Sequence, residues 1–108
     1  LGVEAAIFDK PILSIAYDGP TPVSSSLSVA RYYRYEHLSR VIQTGGMRLV
    51  YSFDELVKFT NEYLIHPEQD RDGRQRIVDE NTFRVDGKAG ERIVQIVLDR
   101  MCDIGDLR

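Results

Sequence analysis

Leu1-Gly-Val-Glu-Ala-Ala-Ile-Phe-Asp-Lys-Pro-Ile-Leu-Ser-Ile-Ala-Tyr-Asp-Gly19 is the stretch on which the fold class turns. Residues 1–8 read as helix, carried by Ala5 and Ala6. Asp9-Lys10-Pro11 ends that helix, because proline disfavours helical backbone in the residue before it. Residues 11–17 are a short, isoleucine-bearing apolar run, as expected of a strand covered on both faces in a parallel sheet. Asp18-Gly-Pro-Thr-Pro22 is turn chemistry. No N-cap residue precedes Glu4 and no strand leads into it. The expectation is a C-terminal piece of a longer α/β protein, cut just after a functional loop.

Working outward, residues 23–30 are serine-rich and read as loop. Residues 36–43 place Leu38, Val41 and Ile42 on one helical face, and Gly45-Gly46 stops the helix. Residues 48–51 read as a second short strand. Ser52 and Glu55 form a capping box for a helix running to about Ile65, with Leu56, Phe59, Tyr63 and Leu64 as its buried face and Pro67 as its end. Residues 70–81 form a charged helix anchored by Ile77 and Val78. Its run of Asp70, Arg71, Asp72, Arg74, Arg76, Asp79 and Glu80 reads as a solvated face laced with ion pairs. Asp86-Gly87 is a turn. Residues 89–101 form a last amphipathic helix, with Ile93, Ile96, Val97 and Met101 facing inward. The alternation predicts an α/β fold: one partial domain over 1–108, a Rossmann-like parallel sheet with crossover helices.

Composition narrows the function. The net charge is -3, and Arg31, Tyr32, Tyr33, Arg34 and Tyr35 are the nearest approach to a basic, aromatic patch, followed at once by Glu36. That argues against nucleic acid as a partner. The single cysteine, Cys102, makes no internal disulfide and suits a reducing compartment. No apolar run approaches the roughly 20 residues that span a bilayer. His37 and His66 are separated by a helix and a strand, so no metal site is expected.

The candidate site residues lie where strands of an open sheet end. A carboxylate at Glu4 could accept two ribose hydroxyls; it could equally be a solvated glutamate favoured by the helix dipole. Asp18, Gly19, Ser24 and Ser25 follow the first strand, with hydroxyls and amides suited to phosphate or sugar, or to an ordinary polar surface loop. His37 could donate to phosphate or act as a general acid or base, or be a half-exposed residue at a helix start. No Ser-His-Asp, Cys-His or P-loop arrangement is present, and no catalytic residue is assigned.

Glu4-Ala-Ala-Ile-Phe-Asp-Lys-Pro-Ile-Leu resembles the "EAA-hydrophobic-aromatic-x-x-P-hydrophobic" segment of the donor-binding domain of GT-B glycosyltransferases. Similar segments occur in lipid-A-disaccharide synthase and in non-hydrolysing UDP-N-acetylglucosamine 2-epimerases. Tyr35-Glu-His-Leu with Gly45-Gly-Met-Arg-Leu-Val, then Ser52-Phe-Asp-Glu-Leu-Val with Tyr63-Leu-Ile-His-Pro, look like the continuation of that domain. Asp70-Arg-Asp-Gly-Arg74 and Asp86-Gly-Lys-Ala-Gly-Glu-Arg-Ile93 are similar to CDP-glycerol glycerophosphotransferase-like enzymes.

The resemblance implies the C-terminal part of a GT-B nucleotide-binding domain, with Glu4 holding the donor ribose. It implies a nucleotide-diphosphate sugar or CDP-glycerol-like donor, an acceptor hydroxyl and no resident cofactor. An N-terminal domain, outside these residues, would supply the acceptor site. The setting it implies is cytoplasmic, in cell-envelope synthesis, with contact at the inner membrane face through the rest of the protein. A 2-epimerase of the same architecture and a non-catalytic α/β interaction domain are the rival readings.

Overall fold

The structure is a computed structural model describing residues 1–106. Its elements run α1 (Gly2–Ile7), β1 (Leu13–Ile15), a 3₁₀ helix (Val29–Arg34), α2 (Glu36–Gln43), β2 (Arg48–Val50), α3 (Phe53–Ile65), α4 (Arg71–Asn81) and α5 (Ala89–Asp106). This is the expected order with the 3₁₀ helix added. β1 and β2 pair in parallel, with Leu13 opposite Arg48, Ser14 opposite Leu49 and Ile15 opposite Val50. The pairing is extended by Arg48 N–H to Ile12 O at 3.1 Å and Ala16 N–H to Val50 O at 2.7 Å. The result is a mixed helix-and-strand fold around a two-stranded parallel sheet.

Side-chain alternation assigns the two faces of the sheet. Leu13 and Arg48 point to the face covered by α3. Ile12 and Met47 point to the other, where they join Ala6 of α1, Val41 of α2 and Ile77 of α4 in the core. Ile77 and Val50 are fully buried, each contributing about 1.5–3 kcal/mol of apolar transfer free energy.

Several local expectations are met by identifiable bonds. Glu55 N–H donates to Ser52 Oγ at 3.2 Å, and the Glu55 carboxylate accepts the N–H of Tyr51 at 2.8 Å. The capping box therefore closes one residue earlier than its usual return bond. At the end of α2, Thr44 Oγ1 donates to Val41 O at 2.6 Å and accepts Gly46 N–H at 3.2 Å. Gly45 then turns the chain at φ +77°, a conformation that glycine adopts without Cβ strain.

Gly46 meets the first turn of α4 directly. A Cβ on Gly73 would lie 2.3 Å from the Gly45 carbonyl carbon and from the Gly46 nitrogen. One on Gly46 would lie 2.4 Å from Arg74 N. The α2–β2 turn and α4 thus cross backbone to backbone, and only glycine permits that approach.

The charged run on α4 is corrected here. Its face is not uniformly solvated, because Arg74 is only 1% exposed. Arg74 Nε and Nη2 reach Asp9 Oδ1 at 2.9 Å, Nη1 donates to Gln69 O at 2.5 Å and Nη2 to Pro67 O at 2.9 Å. Arg71 holds the other Asp9 oxygen at 2.7 Å. Asp9, at φ +51° in the α1–β1 turn, is thereby a bridge from that turn to α4. Arg74, then Arg71, hold its carboxyl below the usual range against partial desolvation.

At the start of α4, Asp70 Oδ2 accepts Arg48 Nε and the Tyr63 hydroxyl, both at 2.6 Å. Arg48 also meets Glu62 at 2.8 Å and lies over the Phe59 and Tyr63 rings. Burial works to raise the Asp70 pKa, but the Arg48 and Tyr63 bonds outweigh it and hold the carboxyl low. Burial, then the bond to Asp70, pushes the Tyr63 hydroxyl well above its ordinary value.

Two packing expectations are also corrected. On α3 only Tyr63 is buried; Leu56 and Phe59 are half-buried and Leu64 is 76% exposed. A sheet of two strands is too narrow to cover the whole stripe. On α5, Ile93, Ile96, Val97 and Met101 do not face inward but are all at least half exposed. Arg92 anchors the start of α5 to Asp86, and among the described residues no other element covers its length. An 18-residue helix is about 27 Å long. Its projection helps to explain a radius of gyration of 19.7 Å, against about 13 Å for a compact chain of 100 residues. Among the described residues no helix is long and apolar enough to cross a membrane.

Candidate functional site

The candidate site forms at the carboxyl end of β1. After Ile15 the chain leaves the sheet through residues 16–28 and returns as the 3₁₀ helix. Ser28 caps that helix, its Oγ accepting Ala30 N–H at 3.2 Å. The Tyr33 hydroxyl donates to Ile15 O at 2.7 Å, on the edge of β1 turned away from β2. This bond fixes the 3₁₀ helix against the end of the strand.

Asp18 closes the loop between them. Its Oδ1 accepts Val29 N–H at 2.7 Å. The Ser28 hydroxyl, then this N–H, hold the carboxyl below the usual range. Gly19 takes φ +86° with open space where a Cβ would be. Ser24 O accepts the N–H groups of Leu27 and Ser28, and Ser24 Oγ lies 3.0 Å from Ser26 Oγ. Ser25 is exposed.

A groove of about 630 Å³ runs along residues 11–14, on the other side of the 3₁₀ helix's tyrosines. The first residues of α1, Gly2 and Val3, line one side; Tyr32 and Tyr33 line the other; Ile12 and Met47 lie between. No residue of the 16–28 loop lines it. Glu4 does not line the groove. Its carboxylate is 67% exposed and pairs with the Leu1 amino group at 2.7 Å. That bond, then its own backbone N–H, lowers its pKa.

The structure groups Asp18, Gly19, Ser24 and Ser25 on one loop, and neither they nor Glu4 line the groove. His37 is separate. It stacks on Tyr35 with ring centroids 6.2 Å apart. It also lines a polar cleft with Glu36, Arg40, Glu80 and Asn81. Tyr35 in turn meets Tyr32 edge to face at 6.0 Å. Sequence reasoning treated Arg31 to Tyr35 only as a weak nucleic-acid signal and missed its role as the wall of the groove. The signal available was Ser28, a capping residue placed just before that cluster. Among the described residues no group of three or more His, Cys, Asp or Glu could hold a metal ion.

Comparison with known proteins found no matching family model, no matching curated protein and no matching solved structure.

Proposed function

We propose that the chain is the donor-binding part of a transferase that moves a glycosyl or glycerophosphoryl group from a nucleotide-diphosphate donor to an acceptor hydroxyl. Its fold on this reading is the C-terminal part of a Rossmann-like GT-B nucleotide-binding domain. One observation supports the reading: the 16–28 loop and the 3₁₀ helix gather at the carboxyl end of β1, held there by Tyr33 on Ile15 O and by Asp18 on Val29 N–H. Open α/β sheets receive ligands at that edge.

In this role Glu4 exchanges its exposed pairing with Leu1 for the donor ribose hydroxyls, as charge-assisted hydrogen bonds. Ser24, Ser25 and the open backbone at Gly19 offer donors to phosphate or sugar oxygens. Asp18 serves by holding the loop closed, since its carboxylate is already engaged. His37 acts at the margin, from its own cleft. The acceptor site and the catalytic base come from a further domain, and neither metal nor cofactor is invoked. The proposed setting is cytoplasmic, in envelope synthesis, with membrane contact only through the rest of the protein.

Calorimetric titration with CDP, UDP and GDP tests the reading. Saturable binding of one of them is expected, weakened roughly tenfold or more by Glu4→Gln. A folded wild type that binds none overturns the donor-site reading. Equal affinities in wild type and Glu4→Gln remove Glu4 from it. A 2-epimerase would share the groove and is separated by product analysis. One observation favours a non-catalytic interaction domain instead, the bare apolar face of α5. That alternative predicts no nucleotide binding.

A further inference from the structure

The apolar face that α5 leaves bare has a heptad order. Val94, Val97, Met101 and Ile104 recur at spacings of three, four and three residues, the pattern of a coiled-coil seam. Ile93, Ile96 and Leu98 widen that seam on its flanks. These seven side chains are each 49–63% exposed, and among the described residues no element packs along them. A helix draws most of its stability from packing such a face. The charges are divided between its ends. Arg84, Lys88 and Arg92 outnumber Asp86 and Glu91 at and before the start. Asp99 and Asp103 outnumber Arg100 toward the end, and no basic residue lies in the last turn. Carboxylates at that end are repelled by the helix dipole.

We infer that α5 pairs antiparallel with the α5 of a second copy of this chain. Antiparallel alignment makes the seam complementary to itself: Val94 faces the partner's Ile104, and Val97 faces the partner's Met101. It also lays each acidic end beside the other copy's basic start and positive dipole end, which a parallel pair does not. Such self-complementarity is what a two-fold interface requires, because the same patch meets itself. The area suits a weak dimer. Full burial of side chains of this size removes about 60–120 Å² of apolar surface each, so their exposed fractions come to about 350 Å² per copy. With about 65% of a homodimer interface apolar, the pair buries about 1,000 Å² in total, the lower bound for a specific interface. The inference is independent of the donor-site reading, since no residue of α5 lines the groove.

Sedimentation equilibrium of the full chain, from about 1 μM to about 1 mM, tests this, with far-UV circular dichroism confirming that each variant is folded. Wild type should show a monomer–dimer equilibrium with a micromolar dissociation constant, the weak end for a specific interface. Val97→Asp and Met101→Asp should each weaken it roughly hundredfold, because the two-fold axis counts every substitution twice. Leu64→Asp, on the exposed face of α3, should leave it unchanged. Asp103→Lys should weaken it roughly tenfold by setting a lysine against the partner's basic start. A wild type that stays monomeric to the highest concentration overturns the inference. A dimer that survives both α5 aspartates, or is lost in Leu64→Asp, overturns it as well. A dimer unchanged or tightened by Asp103→Lys overturns the antiparallel pairing, and assembly beyond the dimer overturns the two-fold one.

Discussion

Gly73→Ala is the substitution whose sign separates this fold from a generic helical one. In an exposed helix interior, replacing glycine by alanine is favourable by about 1 kcal/mol. Here the new Cβ would stand 2.3 Å from Gly45 C and Gly46 N. Van der Waals contact needs at least about 3.4 Å, so α4 or the Gly45-Gly46 turn must retreat by about 1 Å. Overpacking of this kind costs about 1–3 kcal/mol. The retreat also drags Arg74 from Asp9, Pro67 O and Gln69 O, and one charge-assisted bond lost adds about 1.5–3 kcal/mol. Set against the propensity gain, the net loss is about 3 kcal/mol, a large share of a small domain's stability. Urea unfolding followed by far-UV circular dichroism measures it, with Gly90→Ala as control, since nothing lies within 4 Å of a Cβ there. The control should be neutral or slightly stabilising. A Gly73→Ala protein as stable as wild type would refute the backbone crossing.

Arg74→Met should cost about 1–3 kcal/mol by leaving the Pro67 and Gln69 carbonyls unpaired, Asp9 keeping Arg71, whereas the exposed Arg71→Met should cost less than about 1 kcal/mol; urea midpoints decide. Stability should also depend on pH at both ends. Asp70 has a folded pKa below its ordinary 3.8, so its contribution is present above that value and lost as pH falls through the folded one. Tyr63 has a folded pKa above its ordinary 10.0, so its contribution is present below 10.0 and lost as pH rises through the folded one. Thermal midpoints across pH should form a plateau between these limits, and Asp70→Asn should flatten the acid side. Finally, the 108-residue chain alone should turn over no nucleotide-sugar donor, because positioning for transfer needs both sides of a cleft; measurable product refutes this.

Much of the architecture was legible because local chemistry marks it. Gly45-Gly46 ends α2, and Ser52 with Glu55 starts α3, at the places the sequence implies. The first strand is shorter than its apolar run, Leu13–Ile15 against residues 11–17, because apolarity measures burial rather than ladder length. The 3₁₀ helix escaped because its six residues carry no amphipathic period. Arg74 escaped for a different reason. A charge run reads as solvated unless a distant partner is known, and Asp9 lies far away in sequence. Gly73 inside a helix, directly before Arg74, was the one available hint of close approach. The α5 pattern showed correctly that one face is apolar, but periodicity says nothing about whether another element covers it. Of the candidate site, the loop residues were legible from turn chemistry; the wall formed by Tyr32 and Tyr33 depends on a tertiary bond to Ile15 O.

The most direct test of the account is a backbone amide map by NMR during titration with the nucleoside diphosphate that binds best. The account predicts shifts concentrated at the start of α1, in residues 16–28 and in the 3₁₀ helix from Val29 to Arg34, with α4 and α5 unmoved. Shifts centred on the His37 cleft or on α5, or none at saturating nucleotide, would contradict it.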